Sequence, residues 1–207
     1  MVESGTARLG DGFASNIWLT VLNGGNLDVA GILTLDDPLT NSGTINVTNG
    51  TSVQAFNNAT ATRAGGLVNL APGVIGLWNN SSLDGAAGGN EYLLNQGAIN
   101  KMSGTAQSTI DFSFFDNEGI LTSQHGTLLL QSSHGNLLSS QTLGVVLNSA
   151  ADYGKISIVG AATLNGFLRV SLGNGYVPPV GTSFSVVSYG SLSSGFIGFS
   201  YPSLPSA

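Results

Sequence analysis

The feature that most limits what this chain can fold into is a recurrence, N-x-G-x-[IL]. It appears as Asn41-Ser42-Gly43 with Ile45, Asn95-Gln96-Gly97 with Ile99, and Asn117-Glu118-Gly119 with Leu121. Gly97 and Gly119 are 22 residues apart, and Gly43 precedes Gly97 by 54, which leaves room for two irregular repeats. Twenty-odd residues hold three short strands and three corners, one turn of a three-sided β-solenoid. Such a turn cannot bury its inward face alone, so successive turns must stack. At about 4.8 Å per turn, about nine turns make a rod of about 40 Å.

The hydrophobic period between the corners is two. Leu27 and Val29, then Ile32, Leu33 and Leu35, then Ile45, Val47 and Val53 form short alternating runs that end in Gly or Asn. GTLLLQSS, GKISIVG, GFLRVSLG and TSFSVVSYG continue the pattern. Gly and Asn tolerate positive φ and suit corners, whereas β-branched residues suit the pleat. Within Asn41–Ser52 the reading is specific: Gly43 and Gly50 turn the chain, Ile45 and Val47 point inward, and Asn46 and Thr48 point outward. The other all-β solution, a two-sheet sandwich, shares the short strands. The repeated corners favour the solenoid. Helices are not expected, because Gly, Ser, Thr and Asn are abundant and all disfavour helix interiors.

Composition narrows function more than it names one. Charged residues make up 8% of the chain, so solubility rests on amides and hydroxyls, as in secreted, elongated β proteins. The five basic residues, Arg8, Arg63, Lys101, Lys155 and Arg169, are scattered, and the net charge is −6. Phosphate neutralisation and anionic membranes both need clustered cations, so nucleic acid and membrane surfaces are disfavoured partners. Cysteine is absent, which removes disulfides and thiolate chemistry. No apolar run approaches the length of a membrane-spanning helix. MVESGTARLGDG is not a signal peptide, and the chain is expected to be a mature segment or a fragment.

Residues 143–207 differ in character from 1–142 and are expected to form the last turns and a cap. Asn165-Gly166 and Asn174-Gly175 are hairpin signals, and hairpins would close the open end of a stack. Here the residues reach a resemblance. The run Tyr153, Ile156, Ile158-Val159-Gly160, Ala162, Leu164, Gly166, Leu168, Val170, followed by Tyr176, Pro178, Gly181, Phe184 and Val186-Val187, resembles the final passenger segment of bacterial autotransporters. The N-x-G-x-[IL] turns are similar to the repeats of the same exported proteins. The resemblance implies a right-handed parallel β-helix, secretion, and adhesion or surface display. It departs from the autotransporter pattern in that no membrane barrel follows Ala207 here, so self-translocation is not implied.

Among residues that could carry chemistry, Asp111, Asp116 and Glu118 are the acids a polysaccharide-degrading β-helix would use, since such enzymes need paired carboxylates. A surface ladder is the simpler reading of them, and no catalytic set is assigned. Asp36-Asp37 before Pro38 read as a solvated corner. His125 and His134 flank a strand and are not expected to meet. No calcium loop or zinc pattern occurs, and no metal or cofactor is expected. Phe112, Phe114 and Phe115 read as a core stack. The sequons at Asn46, Asn49, Asn58, Asn79 and Asn80 follow from the abundance of Asn, Ser and Thr. Trp18, Trp78 and Tyr92 stand among amides and hydroxyls and are the candidates for stacking against sugar faces; the competing reading buries both tryptophans inside the rod or its cap.

The function expected from these residues is a non-enzymatic structural or adhesive module, displayed on a bacterial surface or in an extracellular matrix. Self-association end to end or laterally into a fibre is the alternative, because a solenoid end is a strand template. A glycan or other cell-surface ligand is the partner expected. Ice binding would need a Thr ladder, and Thr44, Thr48 and Thr51 do not recur at one offset.

Overall fold

The computed structural model describes residues 1–2, 5–14, 18–56, 65–87, 89–131 and 141–203. Among them every regular element is a strand, and the strands form three parallel sheets. Sheet 1 has nine strands: β1 (Gly5–Leu9), β4 (Gly25–Val29), β7 (Thr44–Val47), β10 (Val74–Leu77), β13 (Ala98–Lys101), β16 (Ile120–Ser123), β18 (Thr142–Leu147), β20 (Phe167–Leu172) and β22 (Gly198–Ser200). Sheet 2 has eight: β2 (Gly12–Ala14), β5 (Leu33–Leu35), β8 (Ser52–Phe56), β11 (Ser82–Ala87), β14 (Gln107–Asp111), β17 (Gly126–Leu130), β19 (Gly154–Thr163) and β21 (Val187–Ser194). Sheet 3 has five: β3 (Leu19–Val21), β6 (Leu39–Asn41), β9 (Gly66–Asn69), β12 (Tyr92–Asn95) and β15 (Phe114–Asn117).

The chain visits sheets 1, 2 and 3 in rotation up to β15, then alternates between sheets 1 and 2. This is the winding of a β-solenoid-like fold. Asn26, Thr44, Val74, Ala98, Ile120, Thr142, Phe167 and Gly198 stand side by side across sheet 1, so a coil takes between 18 and 31 residues. The 54-residue gap between Gly43 and Gly97 is two coils, with Gly73 in the intervening corner.

Alternation along each strand sends one set of side chains into the stack. In sheet 1 the inward column runs Leu27, Ile45, Ile75, Ile99, Leu121 and Leu143, all buried. Sheet 2 contributes Leu33, Val53, Leu83 and Ile110, and sheet 3 contributes Leu39, Leu67, Leu93 and Phe115. Ile45 and Val47 point inward as expected, and Asn46 lies outward beside Asp28 and Gly76. Two aliphatic or aromatic assignments fail on parity. Ile32 is 45% exposed, and Phe114 is 50% exposed while Phe112 and Phe115 are buried.

The Asn of the recurring motif is the structural centre of each corner. Asn41, Asn69, Asn95 and Asn117 end the sheet 3 strands in register and point into the stack, fully or almost fully buried. Their amides form a ladder. Asn41 Nδ2 donates to Asn69 Oδ1 at 2.7 Å, Asn69 to Asn95 at 2.7 Å, Asn95 to Asn117 at 2.5 Å, and Asn117 to Gln141 Oε1 at 3.1 Å. The same Nδ2 groups reach corner carbonyls, such as Asn69 to Gly73 O at 3.3 Å and Ala98 O at 3.2 Å. The Gly73 carbonyl also accepts from Ala98 N at 2.9 Å, so the Asn amide fills its second lone pair in an interior that water does not reach. Gly follows because a Cβ at Gly97 would collide with the Gly73 carbonyl, and one at Gly119 with the Gly97 carbonyl.

The C-terminal strands correct the hairpin expectation. β18, β20 and β22 pair parallel in sheet 1, and β19 pairs parallel with β21 in sheet 2. Asn165-Gly166 turns the corner between β19 and β20, where a Cβ on Gly166 would meet the Gln141 carbonyl. Asn174 (φ 50°) and Gly175 (φ 68°) make a left-handed turn after β20 without reversing into a hairpin. The segment that follows packs Phe184 edge-on against Tyr153 at 5.1 Å and Tyr176 at 6.4 Å.

The ladder yields a sharp contrast between two asparagines five residues apart. Asn95→Ala leaves the amides of Asn69 and Asn117 without their partner and is expected to cost about 2–4 kcal/mol. Asn100→Ala, on the outer face of β13, is expected to cost less than about 0.5 kcal/mol. Chemical denaturation of both variants measures the difference, and equal losses would remove the ladder from its central place.

Candidate functional site

The outer face of sheet 3 gathers the aromatic residues. Gly66, Tyr92 and Phe114 are neighbours in register across β9, β12 and β15. Trp18 immediately precedes β3, whose Leu19 stands in the inward column of Leu39, Leu67 and Leu93. Alternation therefore sets Trp18 in the same outward column as Gly66, Tyr92 and Phe114. Trp18 is 74% exposed and Phe114 50% exposed. The Tyr92 ring lies across Gly66, where any Cβ would strike it, and burial raises the Tyr92 phenol above its ordinary range. The ring thus reaches along the column toward Trp18, three strands or about 14 Å away.

Polar groups edge this column. Leu94 and Asp116 are neighbours in the next outward column, and beyond them Gln96 Nε2 donates to Glu118 Oε2 at 2.8 Å. Partial burial raises the Asp116 carboxyl, and the Glu118 carboxylate adds to the shift. The face thus offers flat rings beside acceptors and an amide, a combination suited to the apolar faces and hydroxyls of a sugar.

Trp78 is not part of this face. It follows β10 on the outside of sheet 1, with its indole over Gly76 and its Nε1 donating to Asn46 Oδ1 at 3.3 Å. Asn46 in turn donates to Asp28 at 2.9 Å and to Asn26 at 3.1 Å. Of the three sequence candidates, Trp18 and Tyr92 share a face and Trp78 lies on another. Neither tryptophan plugs the interior. Phe114 was missed because FSFF reads as a core run, and only strand parity separates it from its buried neighbours.

The acids divide between faces as well. Asp111 sits on sheet 2 beside Asp84, whereas Asp116 and Glu118 belong to sheet 3 and its corner. The three are not brought together. Asp84 is pushed up to about 6 by burial and by the Asp111 carboxylate, partly offset by a hydrogen bond from Ser52. Asp37 is buried, so the Asp36-Asp37 corner is not simply solvated. His125 Nδ1 lies 2.9 Å from Asp152 Oδ2, and His134 lies outside the described residues.

No family model, curated protein or solved structure matches this chain. Its reading rests on its own geometry. One buried cation completes that geometry. Lys101 replaces an aliphatic at the inward position between Leu77 and Ser123, where its Nζ donates to Asn80 Oδ1 at 3.0 Å, Ser103 O at 3.1 Å and Ser108 Oγ at 3.3 Å. Burial pushes its ammonium down to about 8.

These two groups give stability opposite pH slopes. Lys101 releases its proton more readily folded than unfolded, so stability rises between about pH 8 and the ordinary lysine value of 10.5. Asp84 holds its proton more tightly folded, so its contribution is complete below 3.8 and lost as pH rises to about 6. Denaturation across pH should show both slopes, the first abolished in Lys101→Met and the second in Asp84→Asn. Asp84→Asn should also add about 1–2 kcal/mol at pH 7 after allowance for solvent screening.

Proposed function

We propose that the chain is a right-handed parallel β-helix serving as a non-enzymatic extracellular module for structure and adhesion. The hand follows from right-twisted parallel strands, whose crossovers pack back in the right-handed sense. Exported bacterial surface proteins of the autotransporter-passenger kind are its natural setting. A charged content of 8% with outer faces rich in Asn, Ser and Thr supports that setting. The last strands act as the terminal turns of the rod.

The adhesive reading is carried by one observation, the outward column of Trp18, Tyr92 and Phe114 on sheet 3. Its neighbours Gln96, Asp116 and Glu118 supply hydrogen-bonding groups beside the rings. The ligand of this face is a glycan, held by ring stacking along the column.

A glycan array followed by fluorescence titration tests the reading. Binding is expected, with affinity lowered about tenfold in Trp18→Ala, roughly 1.4 kcal/mol of stacking, and unchanged in Trp78→Ala. Silence across a broad panel, or dependence on Trp78 instead of Trp18, would contradict it.

A further inference from the structure

Among the described residues, both ends of the stack leave core positions uncovered, and the two ends differ in a matching way. In sheet 1 the inward column begins at Ala7 and ends at Phe199, with eight strand-to-strand steps between the first and last of its nine strands. In sheet 2 the column through Leu33, Val53, Leu83, Ile110, Leu130 and Ile158 begins at Gly12 and ends at Tyr189. Each column therefore opens on a small residue and closes on a large aromatic one. Phe199 is 54% and Tyr189 43% exposed, although the residues behind them, Leu168 and Ile158, are buried. Leu192, beside buried Ala162, is 46% exposed for the same reason.

The free backbone rows match too. Phe167 N donates back to Gln141 O and Gly198 stands opposite Phe167, so Gly198 and Ser200 point back at β20 and the Phe199 N–H faces the open edge of β22. At the other end Leu9 O accepts from Ala30 N, so Gly5, Ala7 and Leu9 face β4, and Thr6 and Arg8 face the open edge of β1. Thr6 and Gly198 occupy one row of sheet 1, as do Arg8 and Ser200, so in a continued parallel ladder the Phe199 N–H falls on Thr6 O and the Arg8 N–H on Phe199 O. Natural proteins blunt exposed edges with charge, yet residues 170–207 contain no Asp, Glu, Lys, Arg or His. An aromatic cluster occupies the place instead: Phe199 lies 5.7 Å from Phe196 and stacks on Tyr201 at 5.9 Å.

We propose that the C-terminal end of the stack docks on the N-terminal end of a second copy of this chain, joining molecules head to tail. β22 pairs parallel with the partner's first sheet 1 strand and β21 with its first sheet 2 strand, so Phe199 and Tyr189 fill the space left by a small residue in each column. The contact is heterologous and does not close, so it propagates. It rests on the β-helix reading but not on glycan recognition, which can be measured separately on end-blocked monomers.

Sedimentation of the 21.0 kDa chain over a concentration series tests the docking. The parent should form a ladder of species. Leu192→Lys with Phe199→Lys should block one end, and Ala7→Lys with Leu9→Lys the other, leaving each variant monomeric. Mixed one to one, the two should give dimers and nothing larger. Circular dichroism with a thermal scan checks that each variant keeps the parent fold. A parent that stays monomeric at millimolar concentration overturns the proposal. So does assembly that survives in both blocked variants, which is lateral association, or a mixture of folded variants that yields no dimer.

Discussion

The amide ladder at the corner between sheets 3 and 1 is the interaction on which the rest of the structure depends. The corner carbonyls of Gly43 and Gly73 each accept one backbone N–H from the next coil and have a second lone pair to fill where water does not reach. Asn41, Asn69, Asn95 and Asn117 meet that demand with a group that is both donor and acceptor, so each side chain serves its own corner and the next coil. An amide pairs with the one above only when the strands are in register, so the ladder also fixes how coils stack. Aliphatic columns alone would tolerate sliding; the ladder does not. The spacing between successive ladder residues can then range from 22 to 28 while the corner stays fixed.

Because the interior determines the fold, the outer faces are free to vary, and they do so with a common device. Tyr92 lies over Gly66, Trp78 over Gly76 and Phe167 over Gly198. Each ring covers backbone that a glycine leaves bare, which shields strand hydrogen bonds and holds the ring flat. A ring already flattened on the sheet loses little freedom when a ligand stacks on it. Structural rescue and recognition can therefore share one residue, as at Tyr92. Trp18 and Phe114 extend the same column at either side of it.

Much of this was legible in the sequence, and the losses have physical reasons. The N-x-G-x-[IL] spacing identified the coil, and alternation placed Ile45, Val47 and Asn46 correctly. The Gly of the motif was read as the turn, but the Asn beside it passed as a second turn former, because composition cannot show that an amide points inward. Parity failed where apolar residues run together, as at Ile32 and Phe114. Asn165-Gly166 was misleading because a two-residue turn signal serves a parallel corner as well as a hairpin. That Trp78 and Tyr92 lie on different sheets depends on coil-to-coil register, which the irregular stretch between them concealed. Lys101 reads in the sequence as one of five scattered basic residues; nothing local marks it as replacing an aliphatic in the column of Leu77.

The central claim is that the motif asparagines form one continuous buried ladder. Side-chain amide hydrogen exchange, followed by NMR on the folded protein, tests it most directly. The Nδ2 protons of Asn69 and Asn95 should exchange as slowly as the backbone amides of β9 and β12, while those of outward-facing Asn100 exchange freely. Fast exchange at Asn69 and Asn95 in a protein whose backbone remains protected would contradict the account.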